Sequence, residues 1–212
     1  MKMWKDIWKQ SKFSLISVIV IFILAVLMLY SRAYRTDQLV TGLGLNVGLS
    51  DAGTRWVEED VLPVLEAGEK ETAIYAAAEM ESYAETSSND TYYLIKNIKT
   101  LCQQDNLDYF LMDKVALENL VAQDIFMDLS TVFTAEELAA LEADLIWAVE
   151  APEEAGAEVD LSARKPVAIR VENLAFFREN ALEKELYFAI SYNTSRVEAC
   201  RILWQHLLDW QS

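Results

Sequence analysis

The pattern of apolar and polar positions separates one long apolar run from a series of shorter, periodic segments. The run covers residues 13–30 and contains no charged residue, no Pro and no Gly. A helix that crosses the hydrocarbon core of a membrane needs about 20 apolar residues, with a range of about 17–25. The run therefore predicts one transmembrane helix, preceded by a basic leader at residues 1–12.

The charges on either side of this run predict its orientation. Four lysines precede the run and two arginines follow it. Because Lys and Arg are enriched on the cytoplasmic side of a membrane span, we predict a cytoplasmic N-terminus and an extracellular C-terminal domain at the cell membrane. A cleaved signal peptide is the alternative, although its apolar region is normally about 7–15 residues long and this run is longer.

Residues 56–212 alternate between short apolar runs and segments of helical period, which is typical of an α/β domain. Strands are predicted at residues 107–112, 166–171 and 186–192. Helices are predicted at residues 56–65, 91–101, 115–124 and 196–210, and from Thr134, which forms a capping box with Glu137. Residues 71–80 fit a strand or a helix, residues 176–184 fit a helix or a loop, and residues 150–165 predict an exposed acidic loop.

A glycine-rich stretch separates the apolar run from this domain. Residues 31–55 include Gly42, Gly44 and Gly48 but show no strong hydrophobic period, so we predict a juxtamembrane connection there. The stretch lacks the full GxGxxG spacing, and no clear strand leads into it. It is therefore not a dinucleotide-binding fingerprint.

The charge of the chain limits the partners that it can bind. Acidic residues outnumber basic ones by 34 to 18, and the net charge is −16. Because residues 1–36 hold six basic groups and one acid, the remainder of the chain is still more acidic. Such a surface repels nucleic acid and anionic lipid headgroups, so we predict no nucleic-acid partner.

Candidate chemistry is sparse. The chain has one histidine, His206, and two cysteines, Cys102 and Cys200, which are too few and too far apart for a zinc site. No GxSxG motif, P-loop or calcium loop is present. We therefore predict no metal, no cofactor and no catalytic residue. The cysteines could pair outside the cytoplasm, but both lie on helical patterns, which favours two buried free thiols.

Two strand–helix units resemble a known family. The segments LDYFLMDKVALENLVAQDIFMDLSTVF and ELYFAISYNTSRVEACRILWQHLL are similar to parts of extracellular solute-binding proteins of ABC importers, in particular to reduced, membrane-anchored relatives in Gram-positive bacteria. The resemblance implies a reduced periplasmic-binding-protein-like domain with a mixed or parallel sheet flanked by helices. Family members normally have two lobes that close on the ligand, whereas this chain could supply one lobe and part of a second.

The resemblance also implies where a ligand would bind. In open α/β sheets the ligand lies beyond the carboxyl ends of the strands. Asp113, Asn173 and Asn193 each follow a predicted strand and are the candidate ligand-binding residues. The alternative is that all three serve in turns, since Asp and Asn side chains bond the nearby backbone.

These observations predict a membrane-tethered extracellular module that binds a small solute or a membrane-protein partner without catalysing a reaction. The alternative is a degenerate binding fold that acts as a structural or protein-interaction module without a ligand. An enzyme is a third hypothesis, which would require two carboxylates that face each other in a deep pocket.

Overall fold

The structure is a computed structural model that describes residues 37–68, 71–83, 89–148, 164–181 and 185–210. The predicted leader, the predicted membrane span and most of the predicted loop at residues 150–165 lie outside these ranges. Within them, no helix has both the length and the apolar character needed to cross a membrane. The described residues from Gln38 onward form one compact unit.

Six strands form one sheet in the order β2-β1-β3-β6-β5-β4. They are β1 Asp37–Leu45, β2 Glu71–Ala78, β3 Tyr109–Met112, β4 Leu145–Ala148, β5 Lys165–Arg170 and β6 Tyr187–Ile190. Strand β3 is parallel to β1 and antiparallel to β6, and β5 is antiparallel to both β6 and β4. The sheet is therefore mixed, which confirms the predicted α/β class.

Helices cover both faces of this sheet. They are α1 Asp51–Arg55, α2 Asn89–Gln103, α3 Lys114–Leu120, α4 Ala135–Ala140, α5 Ala175–Asn180 and α6 Val197–Leu208. A π-helical turn, Trp56–Asp60, extends α1, so the helix predicted at residues 56–65 is not a regular one. The predicted capping box is confirmed, because Glu137 N donates to Thr134 Oγ1 (3.2 Å) and Thr134 N donates to Glu137 Oε2 (2.7 Å).

Two hydrophobic cores lie on the two faces of the sheet. One core joins the π-helical turn, α5 and α6 to the sheet through residues such as Trp56, Phe176 and Trp204. The other joins α2 and α3 through residues such as Ile98 and Leu117. Because both faces are covered, every residue of β3 and β6 is buried. This double burial is the physical reason that these strands are continuous apolar runs in the sequence.

The prediction of a connection over residues 31–55 is wrong from residue 37 onward, because β1 and α1 lie there. Strand β1 pairs with β3 near the middle of the sheet. Its period is hidden because Gly42 and Gly44 occupy one face, where the rings of Tyr109 and Tyr75 fill the space that side chains would take. Tyrosine side chains from β2 and β3 thus fill the volume that side chains of β1 would otherwise occupy on that face.

Other ambiguous segments are settled by the structure. Residues 71–80 contain strand β2, and residues 176–184 contain most of helix α5. Strand β4, which the sequence pattern did not predict, forms one edge of the sheet. Cys102 and Cys200 are both buried and free, which confirms the interpretation of two free thiols.

Candidate ligand cleft

A cleft of about 810 Å³ opens where β1 and β2 end, beside the first turn of α2. Its lining comes from residues 46–48 after β1, residues 77–81 at the end of β2, and Asp90 and Thr91 of α2. The two strand ends lie side by side, since Asn46 N donates to Ala78 O at 2.9 Å. The cleft therefore lies at the edge of the sheet where ligands bind in open α/β folds.

Asn46 organises the floor of this cleft. Its φ of 57° is in the left-handed region, which Asn adopts more readily than most residues. Its side-chain oxygen accepts from Met80 N (2.6 Å), and its side-chain nitrogen donates to Met80 O (2.7 Å). The same nitrogen lies 3.2 Å from both carboxylate oxygens of Asp113. One side chain thus joins the ends of β1, β2 and β3.

The charge of the lining limits the ligands that the cleft can accept. Glu79, Glu81 and Asp90 contribute exposed carboxyl groups, and none of the described lining residues is basic. The N-terminus of α2 carries a partial positive charge, but Asp90 lies in its first turn and offsets that charge. The cleft therefore favours a neutral or cationic ligand over an anion.

The three predicted site residues do not come together. Asp113 follows β3, and its carboxylate contacts the side chain of Asn46. Asp113 is also the N-cap of α3, because its carboxylate accepts a hydrogen bond from Ala116 N (2.8 Å). Asn173 follows β5, which runs in the same direction as β3, so Asn173 lies at the same edge of the sheet as Asp113. It is two strands away from Asp113 and is exposed. Neither residue lines the cleft.

Asn193 lies at the opposite edge of the sheet. It follows β6, which is antiparallel to β3, and its side chain donates to Cys102 O (3.2 Å) and Gln103 O (3.1 Å) at the end of α2. Asn193 thus binds the last carbonyl groups of α2, which is distant in sequence, and not the backbone of its own turn. The sequence could not reveal this placement, because apolar runs do not show the direction in which a strand runs.

The cleft residues that the sequence analysis missed have only weak signals. Asn46 follows a strand whose hydrophobic period is hidden by glycines, so that period did not mark the strand end. Glu79 and Glu81 follow a segment that fitted either a helix or a strand. An asparagine directly after an alternating Gly-Leu stretch, GLGLN, is the one signal that could have identified the end of β1.

The described residues offer little reactive chemistry. Within the described ranges, no group of three or more His, Cys, Asp or Glu side chains could hold a metal ion. Burial raises the pKa of the Cys102 thiol and that of the Cys200 thiol, which keeps both protonated and weakly nucleophilic. His206 is exposed on α6 and does not line the cleft.

The fold and the cleft define an α/β domain with a pre-formed, acidic cleft at one edge of a mixed sheet. No family model matches the chain, and no curated protein or solved structure matches it. The resemblance to solute-binding proteins therefore stays a prediction from the sequence.

Proposed function

We propose that this chain is a membrane-tethered, extracellular binding module of the solute-binding kind, which holds a small neutral or cationic solute without catalysing a reaction. The observation that carries the proposal is the cleft at the ends of β1 and β2. Its volume of about 810 Å³ lies within the range of about 300–1,000 Å³ that is usual for small-ligand sites.

The hydrogen bonds around Asn46 support a binding role. Because Asn46 holds Met80 and Asp113 in fixed positions, the floor of the cleft is set before any ligand arrives. A pre-organised site loses less conformational freedom on binding, which favours affinity. The buried, protonated thiols of Cys102 and Cys200 lie outside the described cleft lining, so neither thiol is placed to attack a ligand bound there.

The proposal is tested by thermal unfolding of the full-length chain, purified in a mild detergent, against a panel of solutes. The panel contains cations (putrescine, arginine), neutral solutes (serine, glucose) and anions (glutamate, phosphate). A solute that binds only the folded state raises the unfolding temperature. We expect a rise with at least one cationic or neutral solute and none with the anions. A panel without any response, or a response to anions alone, contradicts the proposal.

Variants then assign the response to the cleft. Replacing Glu79→Gln and Glu81→Gln together removes two lining carboxylates, and we expect the affinity for a cationic solute to fall by about three- to tenfold. Glu142→Gln is the matched control, because Glu142 is exposed and lies outside the cleft. An equal loss of solute affinity in the double variant and in Glu142→Gln would place the solute outside the cleft.

A second candidate function is a protein-interaction module without a small ligand. It is favoured by the engagement of Asn46 with Asp113, since these two side chains occupy the space between the ends of β1 and β3, where the chain order in the sheet reverses. That point is the usual ligand position in such sheets. A folded chain that responds to no solute but purifies in fixed stoichiometry with a membrane protein would favour this candidate.

A further inference from the structure

A second concave surface lies between α2 and α3. This α2–α3 groove has a volume of about 570 Å³. Its α2 wall carries Tyr92, Ile95, Lys96 and Lys99, whose spacing places them on one helix face. Its other wall includes Glu118, Asn119 and Ala122. The groove shares no lining residue with the cleft.

One part of the groove lining is held in place by hydrogen bonds. Asn119 donates its side-chain nitrogen to Glu81 O (2.8 Å), and Tyr83 N donates to the side-chain oxygen of Asn119 (3.1 Å). These two hydrogen bonds hold Tyr83 against α3. The groove is thus formed by the fold itself.

The groove exposes aromatic surface that a folded protein normally covers. Tyr83 is 43% exposed and Tyr92 is 52% exposed, and both lie beside Ile95 and Ala122. Aromatic residues at a concave surface bury a large apolar area when a flat apolar group enters. The groove therefore suits a ligand with an apolar body.

The charge of the groove is opposite to that of the domain. Lys96 and Lys99 lie one helical turn apart, and neither takes part in the ion pairs found among the described residues. Glu118 on the facing wall is likewise absent from those pairs. In a chain with 34 acids and 18 bases, two neighbouring lysines that pair with no carboxylate in the described part of the chain offer a local site for an anion.

We propose that the α2–α3 groove is a binding site for a small amphipathic carboxylate, with its apolar body against Tyr92 and Ile95 and its carboxylate beside Lys96 and Lys99. The volume of about 570 Å³ fits a small molecule. A standard protein interface buries about 800 Å² on each partner, and the described lining of this groove alone does not supply that area. The site is independent of the function proposed for the cleft.

The test uses phenylbutyrate as the probe and phenylbutyramide as its neutral analogue. Both are titrated into isotopically labelled full-length chain in a mild detergent and followed by NMR, with a protein-free micelle titration subtracted. We expect weak saturable binding of the acid, and affinity for the amide that is lower by about three- to tenfold. Equal affinity for acid and amide, or no saturation up to about 10 mM acid, overturns the proposal.

Variants locate the probe. The double substitution Lys96→Gln and Lys99→Gln should lower the affinity for phenylbutyrate by about three- to tenfold and leave the affinity for phenylbutyramide unchanged. Lys114→Gln is the matched control, since Lys114 is exposed at the start of α3 and lines neither cavity. Ala122→Leu places a larger side chain in the groove and should weaken binding of both probes. Unchanged acid binding in the lysine double variant overturns the proposal.

Two further outcomes would also overturn it. Glu79→Gln with Glu81→Gln should leave phenylbutyrate binding unchanged, and a gain in affinity would place the probe in the acidic cleft instead. A concentration-dependent dimer that Tyr92→Ser abolishes would assign the groove to a second copy of the chain.

Discussion

Asp108 is an ionisable residue without solvent exposure, at the amino end of β3. Burial raises the pKa of its carboxyl group, and the hydrogen bonds from Thr194 and from Thr41 N, together with Arg196, oppose that rise only in part. The guanidinium of Arg196 lies 3.4 Å from the carboxylate. A buried carboxylate with a single cationic neighbour depends strongly on that neighbour.

Replacing Arg196→Met is therefore expected to lower the free energy of unfolding by about 3 kcal/mol at pH 7, since it leaves a buried carboxylate without its counter-charge. The loss should shrink as the pH falls from 7 to 5. Because the folded pKa of Asp108 is raised, protonation favours the folded state as pH decreases, and removing Arg196 raises that pKa further. Urea unfolding followed by tryptophan fluorescence at both pH values measures this change.

The control for this prediction is Arg178→Met, which removes an exposed arginine of α5. We expect that variant to stay within about 0.5 kcal/mol of the parent chain at both pH values. If Arg196→Met lowers the free energy of unfolding equally at pH 5 and pH 7, the Arg196–Asp108 pair contributes through packing and not through charge.

At the scale of elements, β1 depends on close packing between its glycines and two tyrosine rings. A Cβ at Gly42 would collide with the ring of Tyr109, which is almost fully buried, and a Cβ at Gly44 would collide with the hydroxyl end of Tyr75. The glycines are therefore required by space on one face of the strand.

We predict that Gly42→Ala lowers the free energy of unfolding by about 1–3 kcal/mol, because the added methyl group overpacks the core. Combining it with Tyr109→Leu should cost less than the sum of the two single changes, since the smaller side chain makes room for the methyl group. Urea unfolding of the four chains gives this coupling, which we expect to be at least about 0.5 kcal/mol.

Gly68→Ala is the matched control for Gly42→Ala. A Cβ at Gly68 would make only ordinary contact, at 3.4 Å from Glu71 Oε2. We expect that substitution to change the free energy of unfolding by no more than about 0.5 kcal/mol. Strict additivity between Gly42→Ala and Tyr109→Leu would refute the steric explanation of this strand.

The elements show which parts of the fold a single sequence can reveal. Strands β3, β5 and β6 are buried on both faces or nearly so, and their apolar runs predicted them correctly. Strand β1 has no such apolar pattern, because one of its faces carries glycines and is covered by Tyr75 and Tyr109, which are distant in sequence.

The candidate site was harder to predict than the fold. Its location depends on which strand ends meet, and that follows from strand direction and order. The antiparallel direction of β6 moved Asn193 to the opposite edge, whereas the pairing of β1 with β3 brought Asn46 to Asp113. Polar residues after strands therefore predict turns more securely than they predict a shared site.

At the scale of the whole molecule, the proposed function combines an acidic domain with a membrane tether. The sequence predicts the tether at residues 13–30, which lie outside the described residues. A domain with this charge is repelled by anionic headgroups, so a position near the membrane would depend on the apolar run and not on the surface of the domain. Removing the apolar character of the run should therefore release the entire chain.

We expect the full-length chain to remain in the membrane pellet after carbonate extraction, and Val20→Lys with Leu24→Lys to move it into the soluble fraction. Each lysine at the centre of a span costs about 2.5–3.5 kcal/mol of insertion free energy, so two should prevent stable insertion. The matched control, Val20→Leu with Leu24→Val, exchanges apolar residues at the same positions and should leave the chain in the pellet. Recovery of the parent chain in the soluble fraction would contradict the tether, and with it the extracellular location on which a solute-binding role depends.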